Sequence, residues 1–144
     1  MFKGAEARAA GAAGAVGAAR EARRKRLFNM KTISIISTIV SNVYIGNCWQ
    51  ENEELIKSSA PEDIWFHLED DSSCHLVLKN PMNISIKKLD KKVIKRCALL
   101  VKQHTKKCIQ HKKYTVIYCN VDNLSLCGHG SVEFLNDCVK YIAV

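Results

Sequence analysis

From residue 32 onward the apolar positions fall mostly into short runs, interrupted by one long stretch of period 3.6. Residues 32–40 are rich in β-branched side chains and predict a strand, and residues 42–45 before Gly46 predict a second. Residues 50–57 predict a short acidic helix that ends before Pro61. Residues 63–68 and 75–79 predict two strands joined by the acidic bend Glu69-Asp70-Asp71-Ser72-Ser73. Residues 114–119, 131–135 and 138–144 complete the strands, with turns at Gly128-His129-Gly130 and Asn136-Asp137.

The long stretch runs from Leu89 to about Lys107. At 100° per residue, Leu89, Val93, Ile94, Cys97, Ala98, Leu100, Val101 and His104 share one half of the helical wheel. Lys88, Lys91, Lys92, Lys95, Arg96, Lys102 and Lys106 occupy the other half. The expected fold is therefore α+β: a mostly antiparallel sheet with one long basic amphipathic helix packed on one face. Within residues 63–67 the strand period puts Ile64 and Phe66 on one face and Trp65 and His67 on the other. The more apolar pair belongs under the helix. That leaves Trp65, His67 and, from the next strand, His75 for the opposite face.

Charge sharpens the picture. Residues 51–71 hold eight Asp/Glu and one Lys, whereas residues 79–113 hold twelve Lys/Arg and only Asp90 against them. A surface tuned for solubility mixes its signs more evenly. A lysine row suits a phosphate backbone, because each neutralised phosphate releases condensed counterions. Lys87, Lys88, Lys91, Lys92, Lys95, Arg96, Lys102, Lys106, Lys107, Lys112 and Lys113 form the expected phosphate-contacting set. Lysine is a flexible point charge, so backbone contact is expected rather than base readout. A Trp or His presented on a sheet stacks on an unpaired base, which gives Trp65, His67 and His75 a candidate role. The plainer alternative buries Trp65 in the core. The acidic block keeps phosphate off one side of the domain. The rival to nucleic acid is a protein-interaction module whose basic helix docks on an acidic partner.

Other chemistry finds little support. His67, Cys74 and His75 invite a metal, but zinc needs about four ligands at characteristic spacings, and none is present. A polar cluster of His67 and His75 with Asp63, Ser72 and Ser73 is the expected alternative. No glycine elbow surrounds the cysteines or histidines, so no catalytic residue is assigned. No cofactor is expected. The seven cysteines are odd in number and lack a CxxC, which predicts reduced thiols in an intracellular chain. The expected compartment is the cytoplasm, with the nucleus as the second choice. No stretch reaches the roughly twenty apolar residues of a membrane span.

Residues 1–29 are Ala/Gly/Arg-rich and have little to bury, which predicts a disordered extension before a domain over residues 30–144. Three readings compete for it: a transit peptide, a basic nuclear-type cluster at residues 23–26, and an upstream extension with Met30 as the functional start.

Several runs carry a family likeness. They are Tyr44-Ile45-Gly46, Glu51-Asn52-Glu53-Glu54-Leu55-Ile56-Lys57, Pro61-Glu62-Asp63-Ile64-Trp65-Phe66-His67, Ser72-Ser73-Cys74-His75-Leu76-Val77-Leu78, Cys97-Ala98-Leu99-Leu100-Val101-Lys102 and Asn123-Leu124. Together they resemble the NFACT RNA-binding domain, and within it the stand-alone eukaryotic coiled-coil domain-containing protein 25 type. The resemblance implies an α+β RNA-binding module linked to ribosome quality control, with tRNA or ribosomal RNA as partner, DNA as an open alternative, and no enzyme activity. It marks Asp63, Trp65, Phe66, His67, Ser73 and His75 as signature positions, on a surface or in its supporting core. This chain departs from the family after Gly46, where Asn47-Cys48-Trp49-Gln50 replaces basic residues, and after Asn123-Leu124, where Ser125-Leu126 replaces lysines. It also ends at Val144 without the long charged helical tail of the stand-alone type.

Overall fold

The computed structural model describes residues 31–35 and 41–144. The expected 1–29 extension lies outside them, as does the second half of the expected first strand. In chain order the elements are β1 (Lys31–Ile35), β2 (Ser41–Gly46), α1 (Trp49–Lys57), β3 (Ile64–Leu68) and β4 (His75–Leu78). A 3₁₀ turn (Ile86–Lys88) leads to α2 (Lys91–Gln103) and β5 (Thr115–Asn120). A second 3₁₀ turn (Val121–Asn123) leads to β6 (Leu124–Gly128), β7 (Ser131–Phe134) and β8 (Lys140–Ala143). Six strands form one sheet in the order β1-β2-β4-β3-β5-β8, and β6 and β7 form a separate hairpin. Every pair is antiparallel.

Strand alternation decides which layer each side chain joins. Val43, Ile45, Ile64, Phe66, Leu68, Leu76, Leu78 and Val116 point to one face, where they meet Val93, Ile94, Cys97, Ala98, Leu100 and Val101 of α2. The expected Ile64/Phe66 face is therefore the one the helix covers, and Phe66 also stacks on Tyr118 across the β3–β5 pair at 5.2 Å. The helix is shorter than its pattern. Asp90 caps its start by accepting a hydrogen bond from the Lys92 amide at 2.8 Å. At the other end the Thr105 hydroxyl donates to the Val101 carbonyl at 2.7 Å, and the chain leaves the helix there.

Of the two readings of the opposite face, one open to bases and one with Trp65 in the core, the structure shows the second. Tyr44, Trp65, Val77, Ile117 and Cys119 are buried beneath Leu55 and Ile56 of α1 and beneath the β6–β7 hairpin, which contributes Leu124, Leu126 and Val132. Sequence pattern missed β6 because only Leu124 and Leu126 alternate there, and nothing local says that a two-residue stripe covers a sheet. The hairpin is pinned to α1. The Gly130 amide donates to Glu53 Oε2 at 3.0 Å. A Cβ on Gly130 would lie 3.2 Å from Trp49 Cα and Cβ, and its φ of +78° already favours glycine.

Asp63 ties the start of β3 to two other segments. Its carboxylate is buried and accepts from the Ala60 amide (2.9 Å), the Asn80 amide (2.9 Å) and Lys79 Nζ (2.7 Å). Asn80 continues the knot by donating to the Glu62 and Ile84 carbonyls. Asp63→Ala strands two amide donors and is expected to cost about 3–5 kcal/mol. Asp63→Asn should fare little better, because its amide would turn a donor toward either the Asn80 N–H or the Ala60/Lys79 pair. Urea unfolding measures both. A cost near that of an ordinary surface change, below roughly 0.5 kcal/mol, would show that the knot is not structural.

Candidate nucleic-acid interface

The cationic set predicted from sequence divides in four. Lys87 and Lys88 on the first 3₁₀ turn and Lys91, Lys92, Lys95 and Arg96 on α2 are all exposed. None of the six has an ion-pair partner among the described residues, since the pairs found there are Lys57–Glu53, Lys79–Asp63 and Lys107–Asp71. Lys102 departs from expectation. It is only 9% exposed, and its Nζ lies 5.7 Å from the Tyr114 ring centroid. Its stem packs against the domain instead of extending the row. Lys112 is exposed with its Nζ 5.6 Å from the same ring, and Lys113 is exposed beside it. Lys106 and Lys107 stand at the mouth of a cleft.

That cleft, of about 1320 Å³, opens between the C-terminal end of α2, the β3–β4 bend, the start of α1 and the β6–β7 hairpin. Its floor follows from register. His67 pairs with Ile117, and Ile117 with Tyr141. One step beyond the Phe66–Leu76 pair, His67 lies beside His75, and the two imidazole centroids are 4.8 Å apart. His75, His67, Ile117 and Tyr141 thus form a row across the end of the sheet.

Trp65 lies under this row rather than in it. It is 1% exposed, so it is core, and a base cannot stack on it as the open-face expectation had it. Its Nε1–H donates to His75 Nδ1 at 3.1 Å, which satisfies the one polar atom of a buried indole. His67 stacks on the indole at 5.4 Å and 6°, and its Nδ1 bonds the Leu68 carbonyl at 2.7 Å. These bonds settle both tautomers. A carbonyl only accepts, so His67 carries its proton on Nδ1 and leaves Nε2 as an acceptor. An indole N–H only donates, so neutral His75 is bare at Nδ1 and protonated at Nε2.

The expected polar cluster is only partly assembled. Asp63 lies at the far end of β3 and takes no part in it. Ser73 closes the β3–β4 bend, accepting from the Leu68 amide at 3.1 Å and donating to the Cys74 carbonyl at 2.8 Å. Ser72 and Asp71 hold Lys107, and that bond keeps the Asp71 carboxyl below its usual range. Sequence reasoning missed Trp49, His129 and Phe134, which wall the cleft. Trp49 packs on His129 at 5.0 Å, and Phe134 meets the Trp65 edge at 5.9 Å. No local signal marks them, because they converge only when the hairpin docks.

Thiol and metal chemistry gain nothing from the geometry. Burial pushes Cys74 up to about 11 and Cys119 up to about 12, so neither is a thiolate near neutral pH. Among the described residues no group of three or more His, Cys, Asp or Glu side chains is placed to hold a metal. No helix among them is long and apolar enough to cross a membrane.

The class this defines is an RNA-binding domain: the family model described as the NFACT protein RNA binding domain matches residues 30–135. The chain belongs to the NFACT RNA-binding domain family, which is not an enzyme family. Among characterised relatives it is similar to coiled-coil domain-containing protein 25 of Mus musculus, 36% identical over 93 residues, covering 65% of this chain and 45% of the relative. The Danio rerio protein of that name is 36% identical over 91 residues, covering 61% and 44%. The Dictyostelium discoideum homologue is 33% identical over 103 residues, covering 69% and 50%. The chain thus spans about half the length of these relatives. The C-terminal part of the fibronectin/fibrinogen-binding protein from Streptococcus suis shares the fold, with a TM-score of 0.62 at 19% identity over 72% of this chain and 41% of that one.

Burial holds His75 down to about 3, with neighbouring His67 adding to the effect. Burial also lowers His67, against the opposing pull of its bond to Leu68. In the unfolded chain histidine titrates near 6.5. The stability that neutral His75 contributes is therefore complete above about pH 6.5 and drains as pH falls toward 3, by at most about 1.4 kcal/mol per unit. His75→Asn keeps an acceptor for the indole and cannot titrate. Its loss of stability between pH 7 and pH 4 should be smaller than the wild type's by about 1–3 kcal/mol. Parallel profiles would clear His75 of the role.

Proposed function

We propose that this chain is a non-enzymatic RNA-binding module that grips phosphate backbone through the exposed lysine face of α2 and the turn before it. One observation carries this reading. Lys87, Lys88, Lys91, Lys92, Lys95 and Arg96 are all exposed and lack ion-pair partners among the described residues, while Asp90, the one acid of that stretch, is committed to capping the helix. Protein carboxylates do not quench these charges, so they are available to phosphate. The contacts are sequence-blind, because lysines on a solvated helix neutralise charge without reading base edges. The partner class we infer is tRNA or ribosomal RNA, and for this the support is family likeness alone. Crosslinking followed by sequencing of the bound RNA tests that finer statement.

Changing Lys88, Lys92 and Lys95 together to Ala should weaken binding to unrelated RNAs alike. The slope of log affinity against log salt should shrink by roughly 0.7–0.9 for each lost contact. An unchanged slope would remove this face from the interface. Salt-independent capture of one acidic protein, with no RNA affinity, would favour the protein-docking alternative.

A further inference from the structure

We propose that the cleft at the end of the sheet is a pocket for an unpaired RNA base and its ribose. This rests on the RNA reading above and adds to it a site that grips bases as well as backbone. The first observation is the floor. With Nδ1 of each imidazole engaged, His75 presents Nε2–H as a donor and His67 presents Nε2 as an acceptor. Neither Nε2 has another protein partner among the described residues, and both rings line the cleft. The buried indole that fixes His75 and stacks on His67 makes this pair rigid. The Watson–Crick edge of every nucleobase carries both a donor and an acceptor, so a fixed donor beside a fixed acceptor suits a base without selecting one.

The second observation is the aromatic surface. Tyr141 is 59% exposed at the end of the floor row, and Phe134 is 39% exposed above Trp65. Single exposed apolar residues are ordinary, but apolar side chains gathered at one concave place mark a binding surface. These two converge on one cleft. Stacking on such rings is tolerant of sequence, because every base has a π-face.

The third observation is the rim. Glu69 and Asp70 line it without an ion-pair partner among the described residues, Asp71 is paired with Lys107, and Lys106 is exposed beside that pair. The acids disfavour a phosphate or an acidic peptide deep in the cleft. An uncharged base inside, with its phosphates held outside toward Lys106, satisfies both sides. The volume of about 1320 Å³ leaves room for the ribose.

The test uses the full chain and two probes: a single-stranded RNA twelve-mer and the same ribose-phosphate backbone lacking bases. The wild type should bind the intact RNA at least about tenfold more tightly than the abasic backbone. Tyr141→Ala should erase much of that difference by weakening binding to intact RNA alone, with the salt slope and the thermal midpoint unchanged. Phe134→Ala should do the same, and its midpoint should be checked because its ring touches Trp65. Equal wild-type affinity for the two probes overturns the pocket. So does a Tyr141→Ala loss that is equal on both. If the Lys88/Lys92/Lys95 variant still weakens both probes, the RNA reading survives that failure. If the wild type binds neither probe, the RNA reading and the pocket fall together.

Discussion

The hydrogen bond from the Trp65 indole to His75, buried between two strands, is the interaction on which the candidate site depends. A tryptophan at the centre of a six-stranded sheet must be covered on its own face, and its N–H must find a partner there. Covering it calls for the second layer of α1 and the β6–β7 hairpin. Partnering its N–H fixes one imidazole tautomer, and its ring surface sets the plane of the other imidazole. Core packing and site geometry are therefore one problem in this chain. The two histidines lie close together because the core requires it, and they stay neutral because the same burial depresses their proton affinity.

The sheet also separates charge. α1 carries Glu51, Glu53 and Glu54 on one face, and α2 carries its exposed lysines on the other. Part of the acidic side is structural. Glu51 accepts from the Asn47 amide at 2.8 Å, and Glu53 holds the hairpin turn through Gly130. The exposed lysines of α2, Lys91, Lys92 and Lys95, have no such ion pairs among the described residues. Their apolar neighbours fasten the helix to the sheet, and the charged half is left to solvent. A face built this way attracts anions at long range and loses that attraction as salt screens it.

Much of this was legible in the chain. The short apolar runs located β2, β3, β4, β5, β7 and β8 to within a few residues, because polar, glycine- or proline-containing segments bound them. The face assignment of Ile64 and Phe66 against Trp65 and His67 followed from strand alternation, and the structure places them so. Burial of the second face was not legible. It depends on Leu124, Leu126 and Val132, whose local pattern is too short to announce a layer. The helix end was misjudged for a similar reason: wheel geometry continues past Gln103, but the Thr105 hydroxyl ends the helix by a bond that periodicity does not encode. Lys102 was assigned to the wet face by angle alone, and the nearby Tyr114 ring drew its stem inward. The cleft walls were invisible, since Trp49, His129, Phe134 and Tyr141 come from distant segments.

The most direct measurement is a two-dimensional amide and indole NMR titration of the isotopically labelled chain with single-stranded RNA. The chain has two tryptophans, so the indole region holds two signals, one beneath the cleft and one at its wall. The account predicts shifts in the amides of residues 87–96 and in the indole N–H of Trp65 or Trp49, with the first group receding as salt rises. Shifts confined to residues 50–57 and the Asp63 knot, with residues 87–96 and both indoles silent, would contradict it.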